Sequence, residues 1–213
     1  MLCKYIANRR FAPKGVAQEE RSAPSAQPGF CAKIMKIVLA GFMGCGKTTV
    51  GKKLARLTGY KFIDIDEKIV DDAGMGIVEI FERHGEAYFR KLEQNTIKSI
   101  LDDENVVISV GGGAILNDET ADLLKSSARV IFLDVDVRTV MLRTQGDTKR
   151  PLLQGPNKRQ RVADLLKERH PVYRKNTTDI VDGRVTAAKV ARKIIEILEL
   201  NIIDNLDKSS KMR

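Results

Sequence analysis

A glycine-rich stretch, residues 41–49 (GFMGCGKTT), follows directly on the apolar run at residues 36–40 and precedes a segment with helical spacing. Its first eight residues fit the pattern G-x-x-x-x-G-K-[ST], which requires a strand before it and a helix after it. Glycines let the backbone approach a phosphate closely, and the amino terminus of the helix adds positive potential. The stretch therefore predicts a strand, loop and helix that bind a nucleoside triphosphate, with ATP as the expected nucleotide.

The loop by itself leaves the fate of the nucleotide open, because the same loop serves GTPases, motor ATPases and small-molecule kinases. We expect Lys47 to reach the β- and γ-phosphates and the Thr48 hydroxyl to bind Mg²⁺. Cys45 is interpreted either as an oxidation-sensitive thiol at a helix amino terminus or as a small filler. The nucleotide-binding residues predicted in the loop are Gly44, Cys45, Gly46, Lys47, Thr48 and Thr49.

Short apolar runs alternate with longer segments of helical spacing through the middle of the chain. The runs predict strands at residues 36–40, 60–63, 106–110, 130–133 and 179–181. Helical spacing predicts helices at residues 46–57, 86–101, 136–144, 158–174 and 187–198. Alternation of this kind is typical of an α/β fold, in which helices cover both faces of a parallel sheet.

Composition predicts one globular domain between two tails. A chain of 213 residues, 43% hydrophobic and 31% charged, is long enough for one well-buried core. We assign this domain to residues 35–200, a polar tail to residues 201–213, and a disordered extension to residues 1–34. The extension has three interpretations, as a targeting segment, as a disordered arm, or as sequence upstream of a start at Met35.

Charge and cysteine content bear on location and partners. The formal net charge of +9 suggests nucleic-acid binding, but nearly half of the excess lies in residues 1–34 and only 5% of residues are aromatic. No apolar run approaches the roughly 18 residues of a bilayer span. Three scattered cysteines fit neither a disulfide framework nor a metal site. We expect a cytoplasmic monomer without a nucleic-acid or membrane partner.

Acidic and glycine-rich residues follow two other predicted strands. Asp64 and Asp66 come after the second strand and share one face if that strand continues to them. One carboxylate is then expected to assist Mg²⁺ and the other to accept a hydrogen bond from a hydroxyl nucleophile. A helix N-cap at Asp66 explains the pattern equally well. A triple glycine, residues 111–113 (Gly111, Gly112 and Gly113), follows the third strand. Without side chains, its backbone can be approached closely by a ligand, and a flexible turn is the alternative interpretation.

A basic segment rich in glycine and proline, residues 144–158, follows Arg143. Its composition prevents a long helix and favours a mobile flap. A flap that carries Arg150 can close over the triphosphate, exclude water and offset the charge that develops on the transferred group. A solvated basic loop is the alternative interpretation.

The combination of these motifs resembles the shikimate kinase family, and the resemblance runs from about Met35 to Leu198. The family motifs are a phosphate loop beginning Gly-Phe-Met-Gly, then Asp-x-Asp, Phe-Arg, Gly-Gly-Gly, an Arg-Pro-Leu-Leu lid and Arg-x-Pro-x-Tyr. They stand here at residues 41–48, 64–66, 89–90, 111–113, 150–153 and 169–173. The resemblance implies a five-stranded parallel sheet of order 2-3-1-4-5, a substrate-binding region near residues 66–94 and a lid near residues 145–158.

The resemblance also implies an activity, the ATP-dependent phosphorylation of the 3-hydroxyl of shikimate on the way to chorismate and the aromatic amino acids. Asp66 would orient that hydroxyl and act as the base, with Lys47 and Arg150 as the other catalytic residues. Asp64 would join Thr48 at Mg²⁺.

Ligand contacts are implied in the same way. Arg143 would stack on adenine, and Arg150 would bridge nucleotide and substrate from the lid. Shikimate is a carboxylate with ring hydroxyls, so two arginines would grip the acid while an acceptor and a backbone N–H hold the ring. The implied substrate-binding residues are Asp66, Arg90, Gly111, Gly112, Gly113 and Arg169.

Two other classes of nucleotide-binding protein stay open at this point. A related kinase, for gluconate or a nucleoside monophosphate, shares the phosphate loop but does not explain the joint presence of Asp66, Arg90, the triple glycine and Arg169. A regulatory ATPase or GTPase would hydrolyse its nucleotide without an acceptor.

Overall fold

The computed structural model describes residues 35–146 and 157–200. The predictions for residues 1–34, for Arg150 with most of the lid, and for residues 201–213 lie outside the described residues. The strands are β1 (Lys36–Ala40), β2 (Lys61–Asp64), β3 (Val106–Ser109), β4 (Arg129–Asp134) and β5 (Asp179–Asp182). The helices are α1 (Lys47–Thr58), α2 (Ile65–Ala73), α3 (Ile77–Ile100), α4 (Asp118–Ser127), α5 (Val137–Arg143), α6 (Lys158–Lys175) and α7 (Ala187–Leu198), and a 3₁₀ turn spans Ala114–Leu116.

The five strands form one parallel sheet of order β2-β3-β1-β4-β5. This confirms the predicted fold class and strand order. β1 lies at the centre, where Ile37 pairs with Val107 of β3 and with Arg129 of β4. Because parallel strands end at the same edge of a sheet, the segments that follow β1, β2 and β3 are neighbours. The phosphate loop, Asp64 and the triple glycine therefore meet at one edge.

Helices cover the sheet on both faces. Val130, Ile131, Phe132 and Leu133 of β4 alternate in direction along the strand, yet each is at most 1% exposed. In α7, the buried residues Val190, Ile194 and Leu198 recur every four positions, and α7 packs with α1. The continuous apolar runs of the sequence arise from this burial on both sides.

The segment between β2 and β3 differs from the sequence prediction. Residues 65–73 and 77–84 are helical, in α2 and the first turns of α3, whereas helical spacing predicted a helix only from residue 86. Gly85 interrupts α3 with φ 79° and ψ 172°, so that the apolar stripe changes direction and its period is lost from the sequence. Helix α4 was also not predicted, since its short, largely polar sequence has a weak apolar stripe.

The second strand ends at Asp64, and α2 begins at Ile65. The expectation that Asp64 and Asp66 share one strand face is therefore wrong. The N-cap is Asp64 rather than Asp66, because the Asp64 side chain accepts a hydrogen bond from the Asp66 backbone N–H at 3.1 Å. One carboxylate thus leaves the end of the strand and the other the first turn of the helix.

Candidate active site

The phosphate loop joins β1 to α1 through residues 41–46. Gly46 is the N-cap of α1 and has φ 99°, a left-handed conformation that glycine adopts without steric cost. No side chain caps α1, and its first turn contains no acidic residue. The first N–H groups of the helix are therefore available to an anion, as phosphate binding requires.

Lys47 lies over the loop it follows. Its Nζ donates hydrogen bonds to the carbonyl oxygens of Gly41 at 2.8 Å and Phe42 at 3.3 Å. Cys45 is only 1% exposed, a burial that favours its interpretation as a small filler over that of a reactive thiol. Thr49 is exposed in the first turn of α1. The charged group of Lys47 is thus held at the phosphate loop by two of the loop's own carbonyl oxygens.

Two oxygen-bearing side chains meet beside Lys47. The Thr48 hydroxyl donates to Oδ2 of Asp64 at 2.8 Å, while Oδ1 of Asp64 caps α2. A hydroxyl and a carboxylate are hard oxygen donors, and Mg²⁺ usually takes only one or two protein ligands of this kind, completing its shell with water and phosphate. The pair fits the Mg²⁺ site predicted at Thr48 and Asp64.

The triple glycine packs against the predicted substrate-binding side chains. A methyl group at Gly111 would lie 3.1 Å from Oδ1 of Asp66, and one at Gly113 would lie 2.5 Å from Nη2 of Arg90. At Gly112 a methyl would be 3.6 Å from the carbonyl oxygen of Gly41 in the phosphate loop. The three glycines therefore lie between the phosphate loop on one side and Asp66 with Arg90 on the other.

Glu93 belongs to the same cluster and was missed by the sequence analysis. It is 2% exposed, its Oε2 accepts from Nη1 of Arg90 at 2.8 Å, and its Oε1 is buried without a hydrogen-bond partner in the described part of the chain. Burial raises the pKa of Glu93, while Arg90 opposes the rise and the charges of Asp66 and Glu86 add to it. The guanidinium of Arg90 is thereby fixed between Glu93 and Glu86, which it contacts at 3.0 Å.

A signal for Glu93 was present in the sequence. Phe89 and Ile97 are buried on α3, and Glu93 lies four residues from each of them, on the same apolar stripe. A charged residue on such a stripe needs a partner, because an unpaired buried carboxylate is costly. The partner is Arg90, three residues earlier.

Arg169 and Tyr173 bring α6 to the triple glycine. The Tyr173 hydroxyl donates to the carbonyl oxygen of Gly112 at 2.5 Å, and the positive charge of Arg169, one helical turn earlier on α6, acts on the same hydroxyl. Nε of Arg169 is buried and has no hydrogen-bond partner among the described residues. Arg169 therefore lies one helical turn from the tyrosine that contacts the triple glycine, although 79 residues separate it from Arg90 in the sequence.

Arg143 connects the phosphate loop to the turn after β5. Its Nη1 donates to the carbonyl oxygen of Cys45 at 2.8 Å and its Nη2 to that of Val185 at 3.1 Å. Val185 is 38% exposed beside it. The guanidinium therefore borders the phosphate loop, where a methyl at Gly46 would lie 3.5 Å from its Nη1.

The described residues contain no helix with the length and apolar character that crossing a bilayer demands.

Comparison with known proteins identifies the family. The family model for shikimate kinase matches residues 43–199. The shikimate kinase of Nitrosomonas europaea is 44% identical over 163 residues, covering 76% of this chain and 77% of that protein. That of Aquifex aeolicus is 39% identical over 170 residues, covering 79% of this chain and 99% of the relative.

Solved structures agree with the sequence relatives. Shikimate kinase from Acinetobacter baumannii in complex with shikimate superposes with a TM-score of 0.75 at 37% identity, covering 79% of this chain and 94% of that one. A gluconokinase from Sinorhizobium meliloti reaches a TM-score of 0.50 at 20% identity, over 78% of this chain and 95% of that one, which shows a shared fold alone. The chain belongs to the shikimate kinase family.

Proposed function

We propose that this site transfers the γ-phosphoryl group of ATP to the 3-hydroxyl of shikimate through the residues described above. The observation that carries the assignment is the position of Gly111, Gly112 and Gly113, between the phosphate loop and the cluster of Asp66, Arg90 and Glu93. A phosphoryl donor bound to the loop and an acceptor bound against the cluster would then be separated only by glycine residues without side chains. Phosphoryl transfer depends mainly on such alignment and on neutralising charge.

Shikimate is bound by its carboxylate and its hydroxyls. Arg90 and Arg169 present guanidinium groups that match a carboxylate by two-point hydrogen bonds. The buried, unpaired Nε of Arg169 supports this role, since a buried donor without a partner is costly and a substrate oxygen can satisfy it. Asp66 accepts from the ring hydroxyls, and the N–H groups of the triple glycine complete the site.

The nucleotide occupies residues 44–49 and the side of the loop bordered by Arg143. Amides at the start of α1 and the Lys47 ammonium bind the phosphates, and the Arg143 guanidinium packs on adenine. Thr48 and Asp64 would hold Mg²⁺, which would supply neutralisation of the phosphate charge. A lid near residues 145–158 contributes Arg150 to the transferred group, a role that rests on the sequence motif.

Asp66 orients the 3-hydroxyl in line with the γ-phosphorus. The hydroxyl oxygen forms the new bond to phosphorus as the bond to the β-phosphate oxygen breaks, and the hydroxyl proton passes to the Asp66 carboxylate late in the step. Lys47 and Arg150 offset the negative charge on the leaving and transferring oxygens. The products are ADP and shikimate 3-phosphate, a precursor of chorismate and the aromatic amino acids.

We further propose that the enzyme is a monomer and acts in the cytoplasm, where ATP is available. The proposed domain extends over residues 35–200. Light scattering of the purified chain and imaging of a carboxyl-terminally tagged form test these two points. A stable dimer, or a tagged protein confined to an organelle, would contradict them.

A panel of acceptors tests the reaction. Purified protein is assayed for ADP release with ATP and Mg²⁺, and shikimate, gluconate or a nucleoside monophosphate is supplied as acceptor. We expect turnover with shikimate to exceed that with the other acceptors and the rate without acceptor. Faster turnover of gluconate, or hydrolysis without acceptor as rapid as transfer, would refute the assignment.

A further inference from the structure

Tyr173 is completely buried, and its hydroxyl lies at the junction of two substrate-binding elements. The residue is 0% exposed, and its ring packs against Phe132 with centroids 5.2 Å apart and planes tilted by 35°. The hydroxyl donates to the Gly112 carbonyl oxygen at 2.5 Å, and the charge of Arg169, one helical turn earlier, acts on it. One polar atom thus lies against the triple glycine and near the arginine predicted to bind the substrate carboxylate.

The triple glycine depends on this kind of external contact. Glycine has no side chain to restrict its dihedrals, so the direction of a peptide group in three consecutive glycines is weakly determined by local sterics. A hydrogen bond to the Gly112 carbonyl fixes the plane of the peptide that also contains the Gly113 N–H. The charge of Arg169 acts on the same hydroxyl, so this hydroxyl is placed to limit the rotamers of a side chain with otherwise high conformational entropy.

The phenol is suited to hold both partners at once. Burial raises the pKa of Tyr173 to about 12, which keeps the group neutral at physiological pH. A neutral phenol donates one hydrogen bond and accepts others. The donated bond goes to Gly112, and the lone pairs of the oxygen remain able to accept from the Arg169 guanidinium.

We propose that Tyr173 is a positioning residue for the acceptor, aligning the Gly112–Gly113 peptide and the Arg169 guanidinium before the substrate binds. The inference rests on the proposed function of these two elements. Tyr173 is not a catalytic residue, since it acts through Gly112 and Arg169. Its hydroxyl lowers the cost of binding shikimate by ordering both groups in advance.

The test is Tyr173→Phe, which removes one oxygen and keeps the buried ring. We expect KM for shikimate to rise about three- to tenfold, as for the loss of one hydrogen bond between neutral groups. KM for ATP is expected to stay within about twofold. Tyr60→Phe is the matched control, because Tyr60 precedes β2 at the opposite edge of the sheet, and its kinetics are expected to equal wild type.

A merely structural role would lower the melting temperature and change both KM values together, or neither. Thermal melting of each variant is therefore measured first, and kinetics are compared well below the lower midpoint. A shikimate KM within twofold of wild type in a folded Tyr173→Phe variant would overturn the proposal. Absence of shikimate phosphorylation by the wild type would instead overturn the proposed function, so the two failures are distinguishable.

A double-mutant cycle tests the route of the effect. Tyr173→Phe is introduced into an Arg169→Lys background, which keeps the charge but loses the planar guanidinium. If the hydroxyl acts in part through Arg169, its removal raises the shikimate KM by a smaller factor in this background. An equal factor in both backgrounds would overturn the link between Tyr173 and Arg169.

Discussion

Replacing Gly113 by alanine tests whether Arg90 binds the acceptor. Gly113 has φ −102° and ψ −12°, which alanine adopts without strain, so the substitution acts through the added methyl alone. That methyl would lie 2.5 Å from Nη2, 2.8 Å from Nη1 and 2.9 Å from Cζ of Arg90. Ordinary contact begins at about 3.4 Å, so the guanidinium must withdraw by about 1 Å.

The displaced group is the end of a long side chain, so the fold absorbs the methyl more easily than the binding site does. We expect the melting temperature to change by less than about 3 °C. A displacement of about 1 Å at a positioning group lowers kcat/KM by up to about 10²-fold. We expect a 10- to 100-fold loss in kcat/KM for shikimate, about 1.4–2.7 kcal/mol of transition-state stabilisation.

The assay is ADP release at saturating ATP with shikimate varied, and then the reverse. Gly76→Ala is the control, because Gly76 also has an ordinary φ of −70° and a methyl there meets nothing within 4 Å. An unchanged shikimate KM and kcat in Gly113→Ala would refute the placement of Arg90 at the substrate. Equal losses for shikimate and ATP would indicate a general distortion instead.

Three further substitutions address the metal, the buried carboxylate and the lid. Asp64→Asn keeps a side-chain oxygen to cap α2 but loses the negative charge beside Thr48. We therefore expect the Mg²⁺ concentration that gives half-maximal activity to rise about tenfold or more. A Mg²⁺ titration that matches wild type would contradict the site. Burial raises the pKa of Glu93 in the folded protein above its pKa in the unfolded chain. The contribution of Glu93 to stability is therefore fully present at pH values below the unfolded-state pKa. This contribution is lost as pH rises through the folded-state pKa. The free energy of unfolding of wild type relative to Glu93→Gln is therefore expected to fall in urea titrations as pH rises above the ordinary glutamate pKa of about 4.3, and a constant difference would exclude the effect. Arg150→Ala is expected to lower kcat by roughly 10³-fold, and near-normal turnover would remove Arg150 from the mechanism.

Short-range patterns predicted most of the sheet. Each strand was found within one residue at either end, because a strand buried on both faces is a continuous apolar run that composition reveals directly. The region between β2 and β3 was less accessible. There Gly85 breaks the helical period, and the polar residues around it do not form one stripe.

The two acidic residues after β2 show a limit of local patterns. The two-residue period of a β-strand placed Asp64 and Asp66 on one face of the predicted strand. In the structure the strand ends at Asp64, and a helix begins at the next residue. The Asp64 side chain can cap that helix and contact Thr48 at once, since its two oxygens point to different partners. A cap and a metal ligand are therefore not exclusive interpretations of one aspartate.

The amino-acid sequence by itself determined the phosphate loop and the parallel α/β fold, and family resemblance gave the strand order and the predicted residues of the proposed site. The phosphate loop and the strands follow from contiguous motifs, in which a few neighbouring residues specify the local backbone. Only the tertiary structure decided that Glu93 fixes Arg90 from within the core and that the Tyr173 hydroxyl donates to the Gly112 carbonyl. Such contacts link helices and loops far apart in the chain, and their energies depend on burial and distance, which packing alone establishes.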